Sequence, residues 1–255
     1  MTTALPRSSP PTLLATGLAA AQFDQPTSFM HKFWLAVLVW LIAFGANAKE
    51  YGDYDPKRLL TVSETPAGKR YGFDVAYCDL MLNALSAHAQ NYPPRFASPQ
   101  DRRRATQDAK ALVGMLDIVM IDVPTPNPAL LVRAAYANSL AHNLEIPGAA
   151  EKADSLFRKL LAVVPSDPEA NHLYGTFLAG AGNPREALPY LEKALSLGVV
   201  DAAYAIGLAY LALEDKEQAL KNLEDYRRRV PADGMVDRLI DAIRGGRIEF
   251  KRISK

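Results

Sequence analysis

Cysteine is almost absent from this chain. Cys78 stands alone, so no internal disulfide can staple the fold, and a lone thiol in a helical stretch is read as a small buried apolar residue. Histidine is scarce: His31, His88, His142 and His172 stand far apart, in no metal-binding or catalytic spacing. Ser139 near His142 has no indicated third group to orient a base. Glycines gather at turns and at two repeating positions, never in a phosphate-cradling loop. An excess of charge is missing as well. With 29 Lys and Arg against 28 Asp and Glu, the chain as a whole has no electrostatic reason to hold nucleic acid. These absences remove the usual bases for catalysis, and the expectation is a protein that is not an enzyme, with no metal and no cofactor.

Long hydrophobic runs are lacking too, with one short exception. Met30-His-Lys32 leads into the 12 apolar residues Phe33 to Phe44, followed by Gly45-Ala46-Asn47-Ala48. A positive start, a short apolar stretch and an Ala-x-Ala site make a secretory signal peptide, and the run falls short of the roughly 17–25 residues of a spanning helix. The expected leader is therefore 1–48, with 30–48 the signal peptide and 1–29, rich in Ser, Thr, Pro and Ala, a start-site extension. Cleavage after Ala48 would leave a periplasmic or secreted chain with no membrane insertion. Retention of the segment as an inner-membrane signal anchor is the alternative. From Lys49 onward the chain has 27 basic and 27 acidic groups.

What the sequence does contain is repetition. Asn183 to Gly198 falls on Ala149 to Leu161 when shifted by 34 residues, and on Lys216 to Tyr226 when shifted by 32. Ala153, Ala187 and Ala219 align, and twelve residues before each stands another small residue, Ala141, Gly175 or Gly207. Two small positions per unit imply two helices crossing with no room for larger side chains. Pro165 and Pro231, five residues past the last apolar position of their units, stop the second helix.

These positions resemble the tetratricopeptide repeat family, in its exported bacterial form. Tyr174-Gly175, Leu178, Ala187, Leu191 and Ala194, then Ile206-Gly207, Tyr210, Ala219, Leu223 and Pro231, stand where the family carries its small, aromatic and proline positions. The first unit has Ala141 in place of the glycine. Ala137, Asn171 and Ala203 occupy the place of the family's early tryptophan. The resemblance implies an all-α fold, a short right-handed α-solenoid of three helical hairpins over 129–231.

The flanking segments complete the expected plan. Residues 49–128 read as an extended arm with room for one short strand at Leu59 to Val62, then a helical hairpin. Its helices are capped by Asp74 and by Ser98 with Asp101 as a capping-box acid. Residues 232–255 read as a capping helix carrying Leu239, Ile240 and Ile243, and a tail. That tail is the expected partner of any strand at Leu59 to Val62.

Stacked hairpins line a concave side with their first helices. On the face opposite the small crossing residues, the candidate peptide- or partner-binding positions are Asn138, His142 and Glu145, then His172 and Thr176, then Tyr204, Leu208 and Leu211. Tyr204 is the expected anchor, because a tyrosine buries a broad ring while its hydroxyl stays wet. Only Asn138 fits the Lys, Arg and Asn lining of family members that grip acidic chaperone tails, so that specialisation is not expected. The functional expectation is a non-enzymatic adaptor in the cell envelope, a monomer or weak dimer that binds a protein or peptide partner. A structural, self-assembling repeat module is the alternative.

Overall fold

The computed structural model describes residues 50–66, 68–121 and 127–247. The expected leader, 1–48, and the tail beyond Arg247 lie outside the described residues. In chain order the elements are a single 3-10 turn, Pro56–Leu59, then β1 (Leu60–Thr65) and β2 (Gly68–Phe73). The helices follow: α1 (Val75–Ala89), α2 (Pro99–Met120), α3 (Pro128–Asn143), α4 (Ala149–Val163), α5 (Pro168–Gly180), α6 (Pro184–Ser196), α7 (Asp201–Ala212), α8 (Lys216–Arg229) and α9 (Gly234–Arg244).

Local chemistry sets the helix starts. Side chains of Asp74, Ser98, Asn127, Asp167, Asp215 and Asp233 each accept a first-turn backbone N–H, satisfying donors that the helix itself cannot. Proline fills an early position in α2, α3, α5 and α6, where its missing N–H costs nothing. Asn183 caps α6 without a side-chain hydrogen bond. Asp101 does not close a capping box; its carboxylate accepts from Arg104 at 2.6 Å instead.

Helices α3 to α8 form three hairpins, α3/α4, α5/α6 and α7/α8, each packed on the next. The predicted crossings at Gly175 and Gly207 are close approaches of one helix to the next. A Cβ placed on Gly175 would lie 2.6 Å from Leu191 Cγ, and one on Gly207 2.7 Å from Leu223 Cγ. Ala141, Ala153, Ala187 and Ala219 have no exposed surface. The turn inside the third hairpin places Glu214 at φ 63°, where the second uses Gly182 at φ 87°. At the far end, Val236, Leu239, Ile240 and Ile243 of α9 pack with Leu223 and Tyr226 of α8, while Arg238 and Asp241 stay in water.

The N-terminal region departs from expectation in two ways. The strand at Leu60–Thr65 pairs with β2, in the register Leu60↔Phe73 and Val62↔Tyr71, a partner the sequence reading did not offer. The arm before it is not loosely extended: Tyr51 and Leu59 are buried between α1 and α2. The Tyr51 hydroxyl donates to Asp108 Oδ2 at 3.0 Å, Arg104 donates to the Tyr51 carbonyl at 2.9 Å, and Asp55 N–H donates to the Tyr77 hydroxyl at 2.9 Å. Helices α1 and α2 thus clasp the arm. Cys78 has no exposed surface, and burial pushes its thiol up to about 11, so it stays protonated and unreactive near neutral pH. Among the described residues no helix is long and apolar enough to cross a membrane.

Candidate binding surface

The first helices of the three hairpins, α3, α5 and α7, are not equally available. Helix α5 exposes Thr176 at its middle, whereas α7 from Ala202 to Leu213 and α3 from Leu130 to Leu144 have no exposed residue. Part of the cover of α3 is α1. Arg133 holds both oxygens of Asp79 at 2.7 Å, Tyr136 shares a 2.5 Å hydrogen bond with Ser86, and Asn143 Nδ2 donates to the carbonyls of Ala89 and Gln90.

The expected positions differ in how far they are covered. Asn138 is buried, its side-chain amide donating to the Ala134 carbonyl at 2.8 Å, and cannot meet a partner. Leu211 is buried in the cluster that α8 and α9 close. Glu145 is exposed, but α3 ends before it. It lies in the α3–α4 turn at φ 63°, where its carboxylate accepts from Tyr92 at 3.0 Å and Arg102 at 2.8 Å. His142 is half-buried with its ring edge-on to Phe177, 6.0 Å between centroids.

The remaining four positions lie on α5 and α7. Thr176 is exposed and His172 half-buried on α5; Tyr204 and Leu208 are half-buried on α7. Tyr204 stacks obliquely on Tyr226 at 5.4 Å, so part of its ring serves the third hairpin rather than a ligand. Burial, with Asp233 adding to it, raises the Tyr204 phenol above its ordinary value and keeps it a neutral donor. Asp201 and Glu169, each in the first turn of its helix and exposed, add negative charge that spacing from the small crossing residues does not reveal.

His172 is the titratable group of this surface. Burial holds its imidazole below the ordinary range, and Asp201 opposes that shift without cancelling it. With the folded value depressed, its contribution to stability is complete above about pH 6.5 and is lost as pH falls through the folded value. His172→Gln should therefore reduce the drop in urea midpoint between about pH 7.5 and about pH 5.5. An unchanged drop would show that His172 does not titrate with unfolding.

A second concavity lies on the side of the second helices, which the choice of face from the sequence passed over. A cavity of about 510 Å³ between α6 and α8, floored by Ile206 and Tyr210 of α7, is lined by Glu192, Gln218, Lys221 and Arg229. Gln218, Lys221 and Arg229 fall on one face of α8 by helical spacing, a signal that was present in the sequence. Among the described residues no group of three or more His, Cys, Asp or Glu side chains is placed to hold a metal ion.

Residues 200–226, which run from the start of α7 to Tyr226 of α8, match the family model described as tetratricopeptide repeat. No curated protein matches the chain. Among solved structures, MamA is similar at 18% identity, covering 60% of this chain and 86% of its own, with a TM-score of 0.48. A thermophilic tetratricopeptide repeat protein of Thermus thermophilus shows 16% identity, 66% and 89% coverage and a TM-score of 0.47. YrrB, described as a tetratricopeptide repeat protein with an unusual peptide-binding site, shows 19% identity, 64% and 80% coverage and a TM-score of 0.43. Three successive hairpins are built alike, with the small residues Ala141, Gly175 and Gly207 buried at their crossings, and the third of them carries the match to the tetratricopeptide repeat model.

Proposed function

We propose that this protein is a non-enzymatic adaptor of the cell envelope that binds an extended peptide or a partner helix across α5 and α7. The observation that supports this most is the contrast among the three first helices. Helix α5 leaves Thr176 exposed and His172 half-buried, with the half-buried Tyr204 and Leu208 of α7 beside them, whereas α3 from Leu130 to Leu144 and α7 from Ala202 to Leu213 have no exposed residue. Half-buried apolar groups ringed by polar ones are the usual anatomy of a binding patch. The envelope location draws its support from the signal-like sequence at 30–48.

The test is a photo-reactive side chain placed at Thr176 in the full chain, in an envelope extract. Thr176 is exposed, so the label leaves the fold intact. A discrete adduct is expected from position 176 and none from the same label at Glu192, on the side of the second helices. Thr176→Arg should reduce partner recovery roughly tenfold, about 1.4 kcal/mol of binding. Adducts from Glu192 alone would move the binding surface to the opposite side. A ladder of self-adducts at 176 would replace the adaptor with a self-assembling module.

A further inference from the structure

Helices α5 and α7 carry the same stripe of side chains. Glu169, His172 and Thr176 share one face of α5 by helical spacing, and Asp201, Tyr204 and Leu208, each 32 residues later, repeat it on α7. Glu169, Thr176 and Asp201 are exposed, and the other three are half-buried. Each stripe therefore sets a carboxylate one turn before a ring. An acid in the first turn stabilises any helix, but these two stand apart from the others. Glu151, Glu186 and Glu217, in the first turns of the second helices, adjoin Lys152, Arg185 and Lys216 in the chain. Glu169 and Asp201 adjoin no base and form no salt bridge among the described residues.

The charge of this surface is one-sided. Residues 164–184 and 194–215, which contain α5, α7 and their flanking turns, hold five acids and no Lys or Arg, in a chain whose total is +1. Neighbouring elements do not reverse it. Arg133 of α3 is held by both oxygens of Asp79 at 2.7 Å, and Arg227 of α8 faces Asp237 at 3.5 Å. Lys221 and Arg229 line the cavity on the side of the second helices. Helix α9 with its cap Asp233 has three acids against two bases. His172, held neutral by burial near neutral pH, adds no positive charge. Carboxylates beside half-buried rings, with no base among them, are the chemistry that accepts a Lys or Arg side chain, by charge and by cation–π contact. Neighbouring helices pack roughly 8–10 Å apart and an extended chain rises about 3.3 Å per residue, so basic side chains about three residues apart meet both stripes.

We propose that the partner seated on α5 and α7 is a cationic extended peptide, whose Lys or Arg side chains reach Glu169 and Asp201 while an apolar side chain rests on Tyr204 and Leu208. The inference rests on the α5/α7 reading and adds the partner's charge to it. In the full chain with the photo-reactive label at Thr176, fragmentation of the adduct should find a captured segment with a net charge of about +2 or more over about ten residues. Raising the salt from about 0.05 M to about 0.5 M should lower the adduct yield roughly fivefold or more. Glu169→Gln with Asp201→Asn should lower it roughly tenfold. Glu186→Gln with Glu217→Gln removes first-turn acids from the second helices instead and should leave the yield unchanged, which separates partner contact from helix stabilisation. A captured segment with no excess of Lys and Arg, a yield insensitive to salt or to the first pair, or an equal loss from the second pair would each overturn the cationic partner and leave the α5/α7 surface standing. No adduct at 176 from the otherwise unsubstituted chain would overturn that surface, and this inference with it.

Discussion

Gly175→Val is expected to destabilise the protein by about 3 kcal/mol, the upper part of the usual range for overpacking a close contact. A Cβ at 175 would stand 2.6 Å from Leu191 Cγ, 2.7 Å from Cδ2 and 3.1 Å from the Leu191 backbone nitrogen. The leucine side chain can turn aside, but the backbone of α6 cannot without opening the hairpin. Gly207→Val should act similarly, because Leu223 Cγ at 2.7 Å and the Ala219 carbonyl oxygen at 3.3 Å stand in the same relation. Gly180, at the end of the same helix α5, has nothing within 4 Å of its missing Cβ. Gly180→Ala should therefore be neutral or stabilising by up to about 1 kcal/mol, through helix propensity and a stiffer unfolded chain. Urea unfolding of the three variants checks the contrast. Equal behaviour at 175 and 180 would mean that the crossing is not tight.

Tyr51→Ala should cost about 3–5 kcal/mol, as loss of a large buried aromatic does. Tyr51 is 2% exposed and its ring meets Tyr54, His88 and Phe96 at centroid distances of 5.4, 5.7 and 6.3 Å. Its removal also leaves the buried Asp108 carboxylate without the phenol that donates to it. The loss is local. Hydrogen exchange should accelerate in 50–59, α1 and α2, while α5 to α8 retain their protection, because the hairpins have their own crossings. Uniform acceleration through α8 would show one cooperative unit instead. Tyr51→Phe separates the two contributions, keeping the ring and losing only the bond to Asp108, at about 1–3 kcal/mol.

The repeat core was legible because its signal is periodic. Ala153, Ala187 and Ala219 recur at nearly constant distance, and each is fully buried. Helix starts at Asp74, Ser98, Asn127 and Asp233 were legible because a cap is a local hydrogen bond between residues two or three apart. Tyr51 and Leu59 were not, since single anchors in a non-repeating arm have no period to betray them. β2 left a faint trace: Lys69, Tyr71 and Phe73 alternate with Gly68, Arg70 and Gly72, but glycines and charges weaken a strand pattern.

The binding surface was legible only in part, for a different reason. Helical spacing chooses a face but says nothing of what covers it. Asn138 and Leu211 point along the chosen face, yet the first turns its amide onto Ala134 within a sheathed helix and the second is enclosed by α8 and α9. Both outcomes depend on helices distant in sequence. Thr176 and His172 remained at the surface because α5 lies between neighbours that stack beside it without covering it.

A double-mutant cycle at Gly175 and Leu191 tests most directly whether these helices are repeat hairpins held at glycine crossings. Gly175→Ala should cost about 1–2 kcal/mol in the wild-type background, and at least about half of that cost should vanish beside Leu191→Ala, where the obstructing side chain is gone. Strict additivity of the two substitutions would mean that Gly175 and Leu191 do not touch, and the stacked-hairpin fold described here would be wrong.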